Sequence, residues 1–555
     1  MSQTNTEDVS LLESDEHRIG ADAPAPMPSA RRLMLALLGV LIVCAIPRIW
    51  LINHTEVISR DGTVYIRMSQ QWAHNPQGVI QDYNYHVAYS AMISVVHQAL
   101  SASGMSDDPA NWDLIGQWIS MIASLAALAG IWLFAGLAFN WRVAWISVLV
   151  IGLGRKYTAI SSDVLTDSLS MAFQIWTAAL AVVAVRLLLR KNKRAIGIAV
   201  LVGVCSGVGY LVRPEGLLPG VLAICMYIGV QLYKRVSWRL TLCASVATLV
   251  ATIACASPYI YAIGGLTKKK ALSDIVSGPL QQGVLAMAYF TKASGIHTLA
   301  SQFTEAIHPI GAVLVGIFLA TWVGWKITRI NLPPQVRITP KPAPVFFMLS
   351  VTTILGGVLV SMHSRVGYIS HRHLIFIAAL LVPLAGAGGV ILIEWMKIAR
   401  RRSGLPESLD KLFLPLGVSA VAVGLLCHTL HPLHDQKLYF RQAGNHAGQI
   451  ATQDDRILTC SGWAEHYAKA VNPEVKTSRI VPRKLNAQRV VKHITQKSAT
   501  ILVISKRTCD LSADISELLK GPGFTELRRF RPASPRIPDE ITIYRINRDT
   551  LRPVR

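Results

Sequence analysis

Ser161-Ser162-Asp163-Val164-Leu165-Thr166-Asp167-Ser168-Leu169 opens an apolar run that continues to Leu189. Two carboxylates therefore stand at the mouth of a segment long enough, at about 1.5 Å per helical residue, to cross roughly 30 Å of hydrocarbon. Carboxylates bordering a span are costly to keep there and usually face a polar cavity. Spaced four apart, Asp163 and Asp167 are expected on one helix face. Asp163 also has the plainer reading of a helix cap, whereas Asp167 lies further in.

Apolar runs of this length recur along the chain, near residues 32–52, 113–137, 141–160, 164–189, 195–212, 217–233, 240–263, 306–325, 345–362, 374–393 and 412–430. Of the 555 residues, 52% are hydrophobic and only 16% charged, so the bilayer, not water, is the solvent for most of the protein. The expected fold class is an all-α polytopic membrane bundle of about 11 transmembrane helices. Basic loops set its orientation, because short Lys- and Arg-rich loops stay cytoplasmic. Arg190-Lys191-Asn192-Lys193-Arg194, Lys234-Arg235, 326–341 and 397–411 share one side by parity. Lys268-Lys269-Lys270 is the contrary signal; it falls in an outer loop and is expected to meet anionic headgroups.

Three regions follow. Residues 1–30 hold Glu7, Asp8, Glu13, Asp15, Glu16 and Asp22 with few apolar residues, and read as a disordered cytoplasmic tail. Residues 31–430 form the membrane domain, its first span a retained signal anchor ending in Pro47-Arg48. Residues 431–555 alternate helical stretches with strands such as Ile501-Leu502-Val503-Ile504-Ser505 and read as an extracytoplasmic α/β domain. The formal charge of +23 does not call for nucleic acid, since inner loops and a basic exterior domain lying on anionic lipid account for it. Six of eight cysteines lie in apolar runs as packing residues; Cys460 and Cys509 share the outer domain, and whether they are joined stays open.

Of the fourteen acidic residues between Arg31 and His431, eleven fall at outer ends of spans in this topology. Such one-sidedness points to a carboxylate-lined site opening away from the cytoplasm. Asp61, in Ser59-Arg60-Asp61-Gly62-Thr63-Val64-Tyr65, sits just past the first span, with the alternative reading of a cap on a helix starting at Gly62. The following outer loop carries an amphipathic segment through Trp72 and a second apolar helix at His86–Ile93, both expected along the interface. Arg213-Pro214-Glu215-Gly216 joins two spans at the same face; its guanidinium suits a phosphate, and Glu215 is its structural partner. Arg365 and Arg372, in a loop that also holds His363, His371 and His373 before a late span, offer two more anion ligands. His371-x-His373 alone is a weak metal pattern.

These residues form an ordered set: Asp61-Gly62-x-x-Tyr65, Val164-Leu165-Thr166-Asp167, Gly207-Val208-Gly209-Tyr210-Leu211-Val212-Arg213-Pro214-Glu215-Gly216, and Arg372 opening a late span. Together they resemble the bacterial polyprenyl-phosphate-dependent glycosyltransferases of the C-type membrane fold, the group that includes protein mannosyltransferases and the aminoarabinose transferases of lipid A. The resemblance covers roughly residues 32 to 430. Many members carry Asp-Glu where this chain has Asp61-Gly62, so a second carboxylate is absent or shifted to Asp82, Asp163 or Asp167. The usual Pro near His86–Tyr89 is also missing.

The resemblance implies a hexosyl- or pentosyltransferase in a bacterial cytoplasmic membrane. It would take its sugar from a polyprenyl-phosphate donor and pass it to a lipid, polysaccharide or protein acceptor. Asp61 would be general base or acceptor-orienting carboxylate; Asp167 and Asp163 would shape the field around the sugar; Arg213, Arg372 and Arg365 would hold the donor phosphate. No cofactor is required, and a divalent metal stays open. The loop at 264–305 is too apolar for a plain linker and is expected to cover the donor, with His297, His308 and the exterior domain helping to select the acceptor. A transporter or flippase for a lipid-linked or anionic solute is the alternative, but such proteins gather charge near the midplane in two related halves. A basic receptor domain merely anchored in the membrane would not need eleven spans.

Overall fold

The computed structural model describes residues 29–234, 236–268, 293–327, 332–333, 336–366, 370–404, 406, 422–480, 485–506, 513–534 and 539–551. Ala30–His54 (α1) is followed by a non-helical stretch, 55–59, and three helices, Arg60–Trp72 (α2), Pro76–Asp82 (α3) and Ala88–Ala102 (α4). Then come Pro109–Ala138 (α5), Trp141–Gly152 (α6), Arg155–Ser161 (α7), Asp167–Leu189 (α8), Arg194–Val212 (α9), Leu217–Lys234 (α10) and Trp238–Ile263 (α11). Ala293–Ile307 (α12), Pro309–Lys326 (α13), Pro342–Val366 (α14) and His371–Arg402 (α15) complete the described part of the bundle, apart from a helical stretch at 422–429.

Among the described residues nine helices are long and apolar enough to cross a bilayer, or ten if α6 and α7, bent by 68° at their break, make one span. The eleventh expected run falls largely on 412–421, outside the described residues. Large apolar side chains face outward, among them Leu38, Ile42 and Ile46 of α1 and Val246, Val250 and Ile253 of α11. An apolar exterior of this extent belongs against lipid. The protein is a multi-pass integral membrane protein.

The first span does not stop at Pro47-Arg48. Helix α1 continues to His54, and Arg48, fully buried, donates to Cys44 O at 2.5 Å, Gly152 O at 2.8 Å and Ser124 Oγ at 3.0 Å. Gly152 O lies at the α6–α7 break, where the helix no longer supplies its own donor. A charge that would be expensive in lipid is spent on carbonyls there.

Helices α2–α4 lie across the ends of the spans. Tyr65, Ile66, Tyr89 and Ile93 pack with Trp112 and Ile115 of α5, Val164, and Tyr210 and Val212 of α9. At the α9–α10 turn, Gly216 presses so closely on Gly209 and Tyr210 that a Cβ would collide with their backbone. That contact explains the glycine and sets Arg213 at the turn.

The C-terminal domain comprises Leu438–Ile450 (α16), Arg456–Thr459 (β1), Gly462–Val471 (α17), Lys476–Arg479 (β2), Ala487–Lys497 (α18), Ile501–Ser505 (β3), Ala513–Leu518 (α19), Phe524–Phe530 (β4) and Ile541–Ile546 (β5). The sheet order is β2-β1-β3-β5-β4, with β2, β1 and β3 parallel and β5 and β4 antiparallel additions. Every residue of β3 is buried, as expected of a strand covered on both faces. One face packs Val490, Ile494 and Ile515, the other Phe440, Ala443 and Ala464. Cys460 is disulfide-bonded; Cys509 lies outside the described residues, and six other cysteines are free.

Candidate active site

Residues from four separate parts of the membrane domain meet at one end of the bundle. Ser59 caps α2, its Oγ accepting from Gly62 N at 3.0 Å. Asp61 is therefore not the cap, and its carboxylate turns to Arg372, whose Nη1 donates to Oδ2 at 2.8 Å. Arg372 stands in the first turn of α15 and also donates through Nη2 to Asp167 Oδ2 at 2.8 Å. The other oxygen, Asp167 Oδ1, accepts from Arg213 Nη1 at 2.5 Å. The result is an alternating chain, Asp61–Arg372–Asp167–Arg213.

Burial grades along that chain. The Asp167 side chain has no exposed surface, whereas that of Asp61 is 39% exposed. A carboxylate so enclosed is tolerable only because two guanidiniums answer it. Glu215, expected as the partner of Arg213, is 3.9 Å away and secondary to Asp167. The guanidinium at a span end takes the nearer and more buried carboxylate.

Below the charged chain lies a cavity of about 140 Å³. Asp167, Arg213, Glu215 and Arg372 line its polar end; Leu355, Val358 and Leu359 of α14 with Ile375 and Phe376 of α15 supply apolar wall. A cavity with a charged end and an apolar wall suits a ligand that joins an anion to hydrocarbon. Tyr65 is buried beside the cluster, its hydroxyl 3.3 Å from Thr166 Oγ1 and its ring edge-on to Tyr85 and Tyr89. Burial, above all, pushes its phenol up from the ordinary value, so the group stays neutral.

No protein-family model and no curated protein matches the sequence. Solved structures do match. The archaeal oligosaccharyltransferase AglB from Archaeoglobus fulgidus, in complex with an inhibitory peptide and a dolichol-phosphate, aligns with a TM-score of 0.56 at 11% identity, over 93% of this chain and 75% of that one. ArnT from Cupriavidus metallidurans, bound to undecaprenyl phosphate, aligns with a TM-score of 0.54 at 12% identity, over 93% of this chain and 98% of that one. The chain has the C-type membrane glycosyltransferase fold. At such identities the likeness is one of architecture.

Within this C-type fold, Asp61, Asp167, Arg213 and Arg372 come together, but Asp163 does not join them. The two carboxylates do not share a helix face, because residues 162–166 are not helical and α8 begins only at Asp167. Asp163 instead accepts from Ser59 N at 2.9 Å and Val164 N at 2.7 Å through Oδ1, and its Oδ2 pairs with His434 Nε2 at 2.9 Å. Arg365 lies near the end of α14, its side chain outside the described residues. His373 Nδ1 accepts from Ser370 N, and His371 lies 3.7 Å from Glu305. His308 caps α13 and its ring meets that of His428; His297 is exposed on α12.

Lys268 departs from its expected role. Its Nζ donates to Ile80 O at 2.6 Å and Gln81 O at 2.5 Å, capping the C-terminal carbonyls of α3 where a cation is favoured. Lys269 and Lys270 lie outside the described residues. Gly62 explains the missing second carboxylate: a Cβ there would stand 3.0 Å from Ser59 Oγ, Val164 Cβ and Val164 O. Sequence reasoning did not reach His434, Trp463 or Tyr467, which touch the site's supports from the C-terminal domain. No local signal marks them, because their partners lie some 270 to 410 residues away.

Proposed function

We propose that this protein is a glycosyltransferase that moves a hexose or pentose from a polyprenyl-phosphate donor to an acceptor hydroxyl on the extracytoplasmic side of a bacterial membrane. The observation that carries this reading is the Asp61–Arg372–Asp167–Arg213 chain above a cavity with an apolar wall. A lipid phosphate has that character, an anion joined to a hydrocarbon. The solved structures add support, since AglB is described with a dolichol-phosphate and ArnT with undecaprenyl phosphate.

In the reaction, an acceptor oxygen attacks the anomeric carbon while the bond from that carbon to the phosphate oxygen breaks, its electron pair leaving with polyprenyl phosphate. Asp61, the most exposed carboxylate of the chain, receives or orients the acceptor proton. Arg213 and Arg372 answer the charge growing on the phosphate, the kind of preorganised contact that commonly dominates a rate enhancement. Asp167 holds both guanidiniums in place. Asp163 acts one step back, as a positioning residue through Ser59. Arg372 occupies the space between Asp61 and Asp167 that a shared divalent ion would need, so this arrangement of residues does not fit a metal.

The test is sugar release by the purified protein in lipid, offered a panel of polyprenyl-phosphate sugars with an acceptor-rich envelope extract. Wild type is expected to release polyprenyl phosphate from at least one donor, and Asp61→Asn to lose about 10²- to 10⁴-fold in rate. Full activity in a folded Asp61→Asn variant would remove Asp61 from the chemistry; no turnover by either would favour transport.

A further inference from the structure

We infer that the C-terminal α/β domain is part of the membrane site: α17, with Arg441 and His434, clamps residues 55–59 and so sets where Asp61 stands. For the reaction it serves, the inference rests on the transferase reading; for the clamp, on geometry.

Residues 55–59 are non-helical, and Val57, Ile58 and Ser59 are buried. Their peptide groups must therefore find partners away from water. The neighbouring chain supplies few of them. Tyr467 Oη accepts from Ile58 N at 3.1 Å and lies 3.3 Å from Glu56 O, to which it donates. Trp463 Nε1 donates to Ile58 O at 2.8 Å. Arg441 Nη1 donates to Glu56 O at 2.9 Å, and Leu433 N to Thr55 Oγ1 at 3.2 Å. From the other side, Asp163 takes Ser59 N and is itself tied to His434.

Trp463 and Tyr467 are four apart and share a face of α17. That helix is anchored independently. His466 Nε2 lies 3.1 Å from Asp113 at the start of α5, and Glu465 pairs with Arg67 of α2 at 2.5 Å. Gly462 abuts α2 directly, since a Cβ there would be 3.3 Å from Thr63 Oγ1. Asp61 follows the clamped segment by two residues and, among the described residues, has one ion-pair partner, Arg372. Where the segment goes, the start of α2 and its carboxylate go too. An error of about 1 Å in a reacting group can lower a rate by as much as 10²-fold.

Full-length Trp463→Phe, Tyr467→Phe and the double variant provide the test, because Phe keeps an aromatic ring while removing the N–H or O–H. Reconstituted proteins are compared for kcat, for donor affinity, and for amide hydrogen exchange at Ile58 and Ser59, with β3 as the internal control. The double variant is expected to lose ~10- to 100-fold in kcat with donor affinity changed by less than about twofold. Exchange at Ile58 should accelerate while β3 stays protected. Unchanged exchange at Ile58 would overturn the clamp, as would faster exchange with full kcat, or a loss confined to donor affinity. Should wild type transfer no sugar, the transferase reading fails, and exchange at Ile58 alone decides whether the domain holds this segment.

Discussion

Asp167 has no exposed side-chain surface and answers two guanidiniums, so its removal leaves Arg213 and Arg372 facing each other without a shared anion. Breaking a buried pair of this kind costs about 3–5 kcal/mol. Asp167→Asn is expected to lower thermal stability by that order and transfer by roughly 10²- to 10³-fold, checked by unfolding and turnover on the same preparation. His434 gives the site's support a pH dependence. Burial opposes its charged form, but the hydrogen bond and charge of Asp163 outweigh burial and hold its pKa above the ordinary 6.5, with Lys437 and Arg372 acting the other way. A histidine whose folded value exceeds its unfolded one contributes fully below the unfolded value and loses that contribution as pH rises through the folded one. Thermal stability should therefore fall as pH climbs above 6.5, and His434→Gln should flatten that slope; an unchanged slope in the variant would show that the pair does not matter.

Helix α2 shows how an element converts local rules into a site. Sequence offered Asp61 as a cap on a helix starting at Gly62, whereas the helix starts at Arg60 and Ser59 is its cap. Gly62 lets α2 lie close against Val164, and the Asp61 carboxylate turns to Arg372. Restoring the Asp-Glu pair of the resembled family is thus expected to harm this chain. Gly62→Glu must displace Val164 or the start of α2, and a fall of about tenfold in transfer follows, measured beside Asp61→Asn. Short α3 has a similar lesson, because its end is capped by Lys268 from 187 residues away. A basic triplet that reads as a surface patch has at least its first member turned onto a helix terminus.

At the scale of the whole molecule, the four charged residues of the site lie at one end of the bundle, and the Arg190-Lys191 turn lies at the far end of α8, roughly 34 Å away at 1.5 Å per residue. If that turn is cytoplasmic, as basic loops favour, the site and the C-terminal domain are on the other side. Single cysteines at Lys191 and at Lys492 of α18 should then react with impermeant thiol reagents from opposite faces of sealed vesicles. Reaction from the same face would reverse the sidedness on which an outward-facing site depends.

The spans were legible because hydrocarbon demands about 20 apolar residues in succession, a requirement that no partner segment can relax. Asp61, Asp167, Arg213 and Arg372 were legible for a related reason: charge beside a span is expensive, so each one asks for an explanation on its own. Local sequence could not say which carboxylate meets which guanidinium. Asp61 and Arg372 are 311 residues apart and Asp167 and Arg213 only 46, yet both contacts belong to one chain of charges. Nor could it separate Asp163 from Asp167, since the break in helix at 162–166 sends one carboxylate to His434 and the other into the cavity. A membrane bundle with its charges at span ends was readable from the order of residues alone, because solvent acts on every residue locally. The pairing of those charges and the grip of the C-terminal domain on residues 55–59 emerge only once the chain is folded, because hydrogen bonds between distant segments leave no periodic trace along it.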